Sequence, residues 1–565
     1  MRLSPIAFAG ATACALSCVL FTNLDDLGPA RGDAGDPEAG DAFVDAPVDA
    51  SAIAAPRPRA PLAGTYATSQ KPIFSWVLPP GVDGAHVDIC ADRACSIIEQ
   101  QIDQSGSSGQ AALLAHGVHY WRVRGRVGST VGVATSATWE VGVPRRSAPH
   151  DASYGGLSDF DGDGYSDLVA SINAFAPHSL AFFAGSKAGI GSAITFVDPK
   201  DSAHDDYARL TAGDVDGDGF ADLIAAVPRQ SGDTSATIGR VSIYAGSDAA
   251  FGASATPKYE IAAPAGADRF GVDVAYAGDL DGDGFGDLAV AATLPSNGGM
   301  RVFLYFGHAN GPSAAPDVVL DTPKLGGTLA ANGDLDGDGH SDLFVWGAAA
   351  TATASAVFLG AAGGPSDATM HPLSTPSDAT TNFGIGSASV GDLDGDGLVD
   401  WVVSDLVAPP AITGLPGPGT AYVYFGATDP LSALQPATTL VGEGVMNENF
   451  GESSGVVGDV DGDGYDDLVV GTVSAHNGAG RAFFFPGGTS GPSNASRVEL
   501  TGDGQSFGVV GQNVGDLNGD GYADVAIGGL GAPYVRVYYG GASGISDTST
   551  PQNKLALGGD LYGVR

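Results

Sequence analysis

Between residues 62 and 143 apolar and polar positions alternate with a period of two, in PIFSWVL, AHVDICA, HYWRVRGRV and SATWEVGV. Residues two apart share one face of an extended strand, so each segment predicts a strand with one face turned to a core. Pro-Gly and Gly-Ser turns separate the segments and helix signals are few. The stretch predicts a small antiparallel β-sandwich filled by Trp76, Trp121 and Trp139. From about residue 150 the rhythm changes. Short apolar runs such as DLIAAV and DLVVG follow acidic, glycine-rich loops, and a second run comes later in each unit: LAFFAG, VSIYAG, VFLYFG, AVFLG, AYVYFG, RAFFFPG or VRVYYG. A fourth apolar stretch, such as ATTLVGEG or RVELTGDG, precedes the next unit.

The acidic loops begin at Asp159, Asp214, Asp279, Asp334, Asp392, Asp459 and Asp516, at spacings of roughly 55 to 67 residues. Four strands per unit and seven units predict an all-β chain in which residues 150–565 form a seven-bladed β-propeller. Composition agrees: 86 Gly and 34 Pro among 565 residues, with 43% hydrophobic and 16% charged, suit a turn-rich β protein with real cores. The formal net charge of -40 is carried almost wholly by aspartate. Such a surface repels nucleic acid and anionic headgroups and attracts cations, so no nucleic-acid partner is expected.

The first residues, MRLSPIAFAGATACALSCVLF, place one arginine before an apolar stretch, and no comparable run follows. Residues 1–22 therefore read as a secretory or lipoprotein signal, with a retained membrane anchor as the alternative. Ala15-Leu16-Ser17-Cys18 loosely resembles a bacterial lipoprotein cleavage box, which would put a lipid on Cys18. Residues 23–61 are Asp, Ala, Pro and Gly with almost no aromatic residue, and read as a flexible acidic tether. Its Arg31-Gly32-Asp33 is a tripeptide expected by chance in such a composition. Cys90 and Cys95, five apart in an exported chain, predict a local disulfide, with two buried thiols as the alternative.

The loop pattern is D-x-D-G-D-G-x-x-D. Side chains at positions 1, 3, 5 and 9 converge when the chain curls, glycine at 4 and 6 permits the curl, and the carbonyl of position 7 completes a shell. The candidate ligands are Asp159, Asp161, Asp163, Tyr165 and Asp167 in the first unit, and Asp214, Asp216, Asp218, Phe220 and Asp222 in the second. Asp279, Asp281, Asp283, Phe285 and Asp287 follow, then Asp334, Asp336, Asp338, His340 and Asp342, then Asp392, Asp394, Asp396, Leu398 and Asp400. The last two sets are Asp459, Asp461, Asp463, Tyr465 and Asp467, and Asp516, Asn518, Asp520, Tyr522 and Asp524. Hard oxygen donors without His or Cys select Ca²⁺ over transition metals, and Mg²⁺ suits such a loop less well. Up to seven Ca²⁺ ions are expected, one per loop, the Asn518 loop binding with one charge fewer. Four clustered carboxylates also need a counter-charge to stay ionised. The ligand order is that of half an EF-hand, but strands rather than helices follow it.

The units resemble FG-GAP repeats, those of the integrin α-subunit head. Nine residues before a loop stand Phe270-Gly271, Phe383-Gly384, Phe450-Gly451 and Phe507-Gly508, with Leu325-Gly326 in the fourth unit. His150-Asp151 and Asp205-Asp206 depart from the pattern, and Gly531-Ala532-Pro533 gives a literal second signature. The resemblance implies a seven-bladed propeller with Ca²⁺ in blade hairpins. KLALGGDLYG at the end matches the strand before each Phe-Gly, so the seventh blade is expected to be completed by contiguous sequence, leaving blades 1 and 7 joined by packing alone. The Pro-x-Phe-x-Trp, Tyr-Trp-Arg-Val and Ser-x-x-Trp order in residues 62–143 resembles a fibronectin type III-like domain.

Catalytic signals are lacking. Ten His are scattered, and Gly451-Glu452-Ser453-Ser454-Gly455 matches G-x-S-x-G without the strand-to-helix turn a nucleophile needs. The expectation is a non-enzymatic, exported, calcium-binding adhesion or recognition scaffold, monomeric, with an unidentified protein or glycan ligand. The alternatives are a lectin-type propeller and a polysaccharide-cleaving enzyme. A lectin would repeat an exposed aromatic in each blade, whereas Phe182, Tyr244, Phe306, Phe358, Tyr424, Phe484 and Tyr538 sit in apolar strands and read as core.

Overall fold

The computed structural model describes residues 48–63, 65–147, 158–173, 179–197, 209–228, 239–249, 251–293, 300–320, 328–331, 333–346, 355–373, 376, 383–406, 419–428, 435–443, 448–502, 506–512, 514–530, 532–546, 553–557 and 560–564. The signal segment, Cys18, Arg31-Gly32-Asp33, His150-Asp151, Asp205-Asp206, Leu325-Gly326 and Gly531 lie outside them. No helix among the described residues is long and apolar enough to cross a membrane.

The alternating segments near the N-terminus form two sheets. Arg57–Ala60, Ile73–Val77 and Ser108–Gln110 make a three-stranded sheet. The six-stranded partner runs Thr65–Tyr66, Trp139–Val143, Gly117–Val127, Gly84–Cys90 and Ile98–Ser105, with Thr130–Thr135 also paired to Gly117–Val127. Phe74 and Trp76 from one sheet meet Val87, Ile89, Trp121, Val123 and Trp139 from the other in one buried core. The Trp121 ring lies 4.8 Å from Phe74 and 5.8 Å edge-on to Trp139, so the three tryptophans fill the core as their spacing predicts. Arg57–Ala60, inside the stretch read as a tether, instead pairs its backbone with Ile73–Val77, so the sandwich begins before residue 61.

The repeat units form seven four-stranded antiparallel sheets. The third is typical: Asp268–Gly278, Asp287–Thr293, Met300–Tyr305 and Val318–Leu320 follow in chain order from the inside outward. Its second strand, DLAVAAT, is buried on both faces for all but its last residue, which is why it is a continuous apolar run and not an alternating one. The cores lie between neighbouring sheets, not within them. Val274 and Val290 of the third sheet join Ile224 and Val241 of the second, and Leu168 and Ala170 of the first join Ala526 and Val535 of the seventh. All seven repeated aromatics are buried in these layers, as their apolar setting predicts.

The first sheet departs from chain order. Leu168–Asn173 takes as its inner neighbour Asp560–Val564, the last strand of the chain. The seventh sheet is indeed completed by contiguous sequence, Asn553–Ala556, but the first and last blades are not joined by packing alone. The register explains the missing Phe-Gly of the first unit. Asp268 faces Thr293, six residues beyond Asp287, and Asp560 faces Asn173, six residues beyond Asp167. Tyr562-Gly563 therefore stands where Phe270-Gly271 stands in the third sheet. The innermost strands touch in cyclic order, Asp560–Val564, Arg209–Gly213, Asp268–Gly278, Thr328–Ala331, Phe383–Gly391, Ser453–Gly458, Phe507–Val510 and back to Asp560–Val564. Ser453 and Ser454 lie on one of these strands, not at a strand-to-helix turn, so the G-x-S-x-G match is no nucleophile elbow.

Candidate functional site

In the second to seventh units the acidic loop joins the inner strand of a sheet to the next, in the first it leads into Leu168–Asn173, and one hydrogen-bond plan recurs in all seven. The first-position aspartate accepts from the position-6 glycine amide, at 3.0 Å for Asp159–Gly164 and 2.9 Å for Asp279–Gly284. The same bond is made by Asp214, Asp334, Asp392, Asp459 and Asp516. Position 5 accepts from the amide of position 7, as Asp163 does from Tyr165 at 3.0 Å. Glycines 4 and 6 of the third loop have φ of 81° and 94°, the left-handed region a Cβ disfavours, and the other loops match. The ninth aspartate is tied at both oxygens. Asp287 Oδ2 accepts from Leu280 N at 2.8 Å, and Oδ1 from Gly307 N at 2.9 Å.

Gly307 closes VFLYFG, and the matching terminal glycines of the other units, Gly185, Gly246, Gly360, Gly426, Gly487 and Gly540, make the same bond to their ninth aspartate. A Cβ on Gly307 would stand 2.3 Å from the Gly286 carbonyl, so only glycine fits. Reading the loop motif alone passes over these residues, although a glycine ending the third strand of every unit was the visible signal.

Carboxylate atoms of positions 1, 3 and 9 lie within 4.8 Å of one another in the sets Asp159/Asp161/Asp167, Asp279/Asp281/Asp287, Asp334/Asp336/Asp342 and Asp392/Asp394/Asp400. In the second loop the close set is instead Asp214, Asp216 and Asp218. There Lys258 Nζ stands 2.7 Å from Asp216 Oδ2, and Tyr259 donates to the same oxygen at 3.0 Å. Position 5 thus joins the close group in the second loop, and position 7 contributes its amide and its side chain. Phe220 lies against Gly162 of the preceding loop, Phe285 against Gly217, His340 against Gly282, Leu398 against Gly337, Tyr465 against Gly395 and Tyr522 against Gly462. Backbone bonds reinforce the series. Ala221 N donates to the Asp159 carbonyl at 3.1 Å, Ser341 N to Asp279 at 2.9 Å, and Ser166 N to Asp516 at 3.0 Å, which links the last loop to the first.

The electrostatics of these clusters call for a cation. Burial, then neighbouring carboxylates, pushes Asp334 and Asp392 up to about 8 and Asp159 up to about 7. Asp281 and Asp394 are pushed up to about 6 for the same reasons. The ninth aspartates, Asp167, Asp222, Asp287, Asp342, Asp400 and Asp524, are raised well above the usual carboxylate range, burial being the largest cause. Asp216 Oδ1 is buried without a hydrogen-bond partner, as a ligand oxygen would be before its ion arrives. Oxygen donors in this number, glycine-curled and free of His and Cys, fit Ca²⁺.

Asp279 is the exception among the first-position residues. Burial pushes its carboxyl up, but a hydrogen bond from Glu140 and the charge of Arg93 outweigh it and hold it below the ordinary value. Glu140 and Arg93 belong to the sandwich, whose arginines reach several loops. Arg145 Nε donates to the Asp218 carbonyl at 2.9 Å and its guanidinium stacks 4.3 Å from the Phe220 ring. Arg59 Nη2 reaches the Gly464 carbonyl at 3.4 Å, and Arg57 stands 3.7 Å from Asp396. These contacts come from residues outside the repeats, and no loop motif points to them. The turn that carries Arg93 is closed by a Cys90–Cys95 disulfide, as the spacing predicts.

The FG-GAP-like repeat family matches residues 159–225, 279–345, 334–403 and 459–527, and the FG-GAP repeat family matches residues 207–244. Integrin alpha-V of Gallus gallus is 33% identical over 219 residues, 35% of this chain and 20% of that protein. Integrin alpha-4 of Xenopus laevis is 35% identical over 151 residues, 24% of this chain and 14% of that protein. The chain thus spans a fifth or less of the length of these relatives. A rhamnogalacturonan lyase of Bacillus licheniformis aligns over 87% of this chain and 92% of its own at 13% identity, with a TM-score of 0.27, too low to carry an argument.

Proposed function

Since this chain is an FG-GAP repeat protein, we propose that it is a seven-bladed, calcium-stabilised propeller that serves as a non-catalytic adhesion or recognition scaffold outside the cell. The observation that carries the reading is the convergence of the first, third and ninth carboxylates in the first, third, fourth and fifth loops, on atoms held by the same backbone bonds in each. Calcium would be held by those carboxylates, with the position-5 side chain and position-7 carbonyl as further donors. It would supply the positive charge that lets all of them ionise within a buried turn. The ion is structural on this reading: the interlocking of neighbouring loops turns each bound ion into a brace for two blades.

Export and an extracellular or cell-envelope location follow from the signal-like N-terminus, and extracellular calcium can fill sites with Kd of about 10⁻⁴ to 10⁻³ M. A lipid on Cys18 and a fibronectin type III-like identity for the sandwich belong to the same proposal. The ligand is a protein or glycan met by surfaces other than the loops the sandwich contacts. The lectin alternative loses its strongest support because the repeated aromatics are core residues. Elemental analysis of the purified chain after dialysis tests the reading. Several calcium ions per chain are expected, and one or none refutes it. A glycan array and a pull-down with the intact chain then separate the two ligand classes.

A further inference from the structure

The turn Ala91-Asp92-Arg93-Ala94 lies between Cys90 and Cys95 and is closed by their disulfide. Asp92 braces it, its carboxylate accepting from Ile97 N at 2.8 Å and Ser96 Oγ at 2.7 Å. The turn delivers Arg93 to acidic loops 186 to 246 residues further along the chain. There Nε donates to the Gly282 carbonyl at 2.9 Å and Nη1 to the Gly339 carbonyl at 2.5 Å. Nη2 donates to Asp279 Oδ2 at 2.5 Å and to Glu140 Oε2 at 2.9 Å. The Tyr120 ring centre lies 5.3 Å from the guanidinium carbon, and only 19% of the side chain is exposed. Every guanidinium nitrogen is engaged, three times on the third and fourth loops and once on a sandwich carboxylate.

Among the described residues no arginine ion pair reaches Asp159, Asp334, Asp392, Asp459 or Asp516, five of the six equivalents of Asp279. Lys258 at Asp216 differs in kind. Its side chain is 48% exposed and its flexible stem can swing clear. Arg93 is held by five residues at once and cannot shed its charge. A divalent ion bound through Asp279, with metal–oxygen distances of about 2.4 Å, would sit within a few ångströms of that guanidinium and be repelled by it. Building on the calcium reading of the other loops, we propose that Arg93 fills the third loop as a tethered cation in place of calcium, and thereby fastens the sandwich to the propeller.

Calcium counted by elemental analysis after equilibrium dialysis at fixed free calcium tests this on the full chain. Asp161→Ala, in the first loop, should remove one calcium equivalent, whereas Asp281→Ala, at the same place in the third, should remove none. Arg93→Gln should bind one equivalent more than wild type, and Arg93→Gln/Asp281→Ala should return to the wild-type count. Loss of one equivalent from both single aspartate variants overturns the assignment of Arg93 and leaves the calcium reading standing. A wild-type chain that binds no calcium overturns both. The aspartate pair decides the matter even if Arg93→Gln folds poorly, since Asp161 and Asp281 are each partly exposed.

Discussion

Asp88 in the sandwich and Asp400 in the propeller are both fully buried aspartates, and the molecule treats them in opposite ways. Asp88 receives Arg124 at 3.0 Å, Arg122 at 3.3 Å and Gln101 at 2.8 Å. Burial raises its pKa, but these partners outweigh burial and hold it below the ordinary value. Asp400 accepts backbone amides from Leu393 at 2.8 Å and Gly426 at 2.9 Å, and its charged neighbours are Asp394, Asp392 and Asp396. Burial and that repulsion push it well above the ordinary range. One region brings its own cations to its buried charge. The other gathers charge and leaves the cation to be supplied, except at Asp216, which pairs with Lys258, and at Asp279, where the sandwich lends it Arg93.

The largest break in this comparison is chelation. Removing calcium should lower the melting temperature of the propeller by about 10 °C or more, each site being worth roughly 1.5 to 3 kcal/mol at calcium well above its Kd. The sandwich transition should move far less, and calcium but not magnesium should restore the first. An unchanged melt in excess chelator, followed by calorimetry, refutes the structural role of the ion.

The pH dependence of the chelated protein sharpens the contrast further. With Asp159 pushed up to about 7 and Asp334 and Asp392 to about 8, each is protonated in the folded chain and ionised in the unfolded one between about pH 4 and those values. The folded state binds more protons in that window, so stability falls as pH rises from about 5 to 8. Saturating calcium should flatten the trend, because binding requires the ionised form. Melts across that range with and without chelator check it, and identical slopes would refute it.

Asparagine substitutions separate the two carboxylates directly. Asp88→Asn should cost about 2 to 3 kcal/mol with or without calcium, since it strands Arg122 and Arg124. Asp400→Asn should destabilise the calcium-loaded protein most and cost less in chelator, where it relieves repulsion from Asp394, Asp392 and Asp396 but gives up one acceptor for the Leu393 and Gly426 amides. Urea titrations in both conditions give the two differences. Equal costs for Asp400→Asn in both would remove the basis for the contrast.

The smallest effect concerns the glycine beneath each ninth aspartate. Gly307→Ala should cost about 1 to 3 kcal/mol, because its Cβ meets the Gly286 carbonyl at 2.3 Å. Gly252→Ala, with nothing within 4 Å of its Cβ, should stay within about 0.5 kcal/mol. Equal effects in denaturant titrations would show that the close approach does not constrain the loop.

Much of the fold was legible because it is local. The period-two alternation, the wholly apolar second strands and the glycines at loop positions 4 and 6 all express constraints within a few residues, and repetition made them plain. The seven acidic loops likewise announce their chemistry, since all their proposed ligands lie within nine consecutive residues. What the tertiary structure alone decided involves partners brought together by chain return. Asp560–Val564 pairs with Leu168–Asn173 across almost the whole repeat array, and nothing in either segment names the other. Arg93 meets Asp279 across 186 residues, from a turn whose own sequence gives no sign of a loop beyond its domain. Local periodicity sets which face of a strand is buried and which oxygens converge. Which distant backbone or charge completes the pairing depends on how the closed ring and the docked sandwich place surfaces in space.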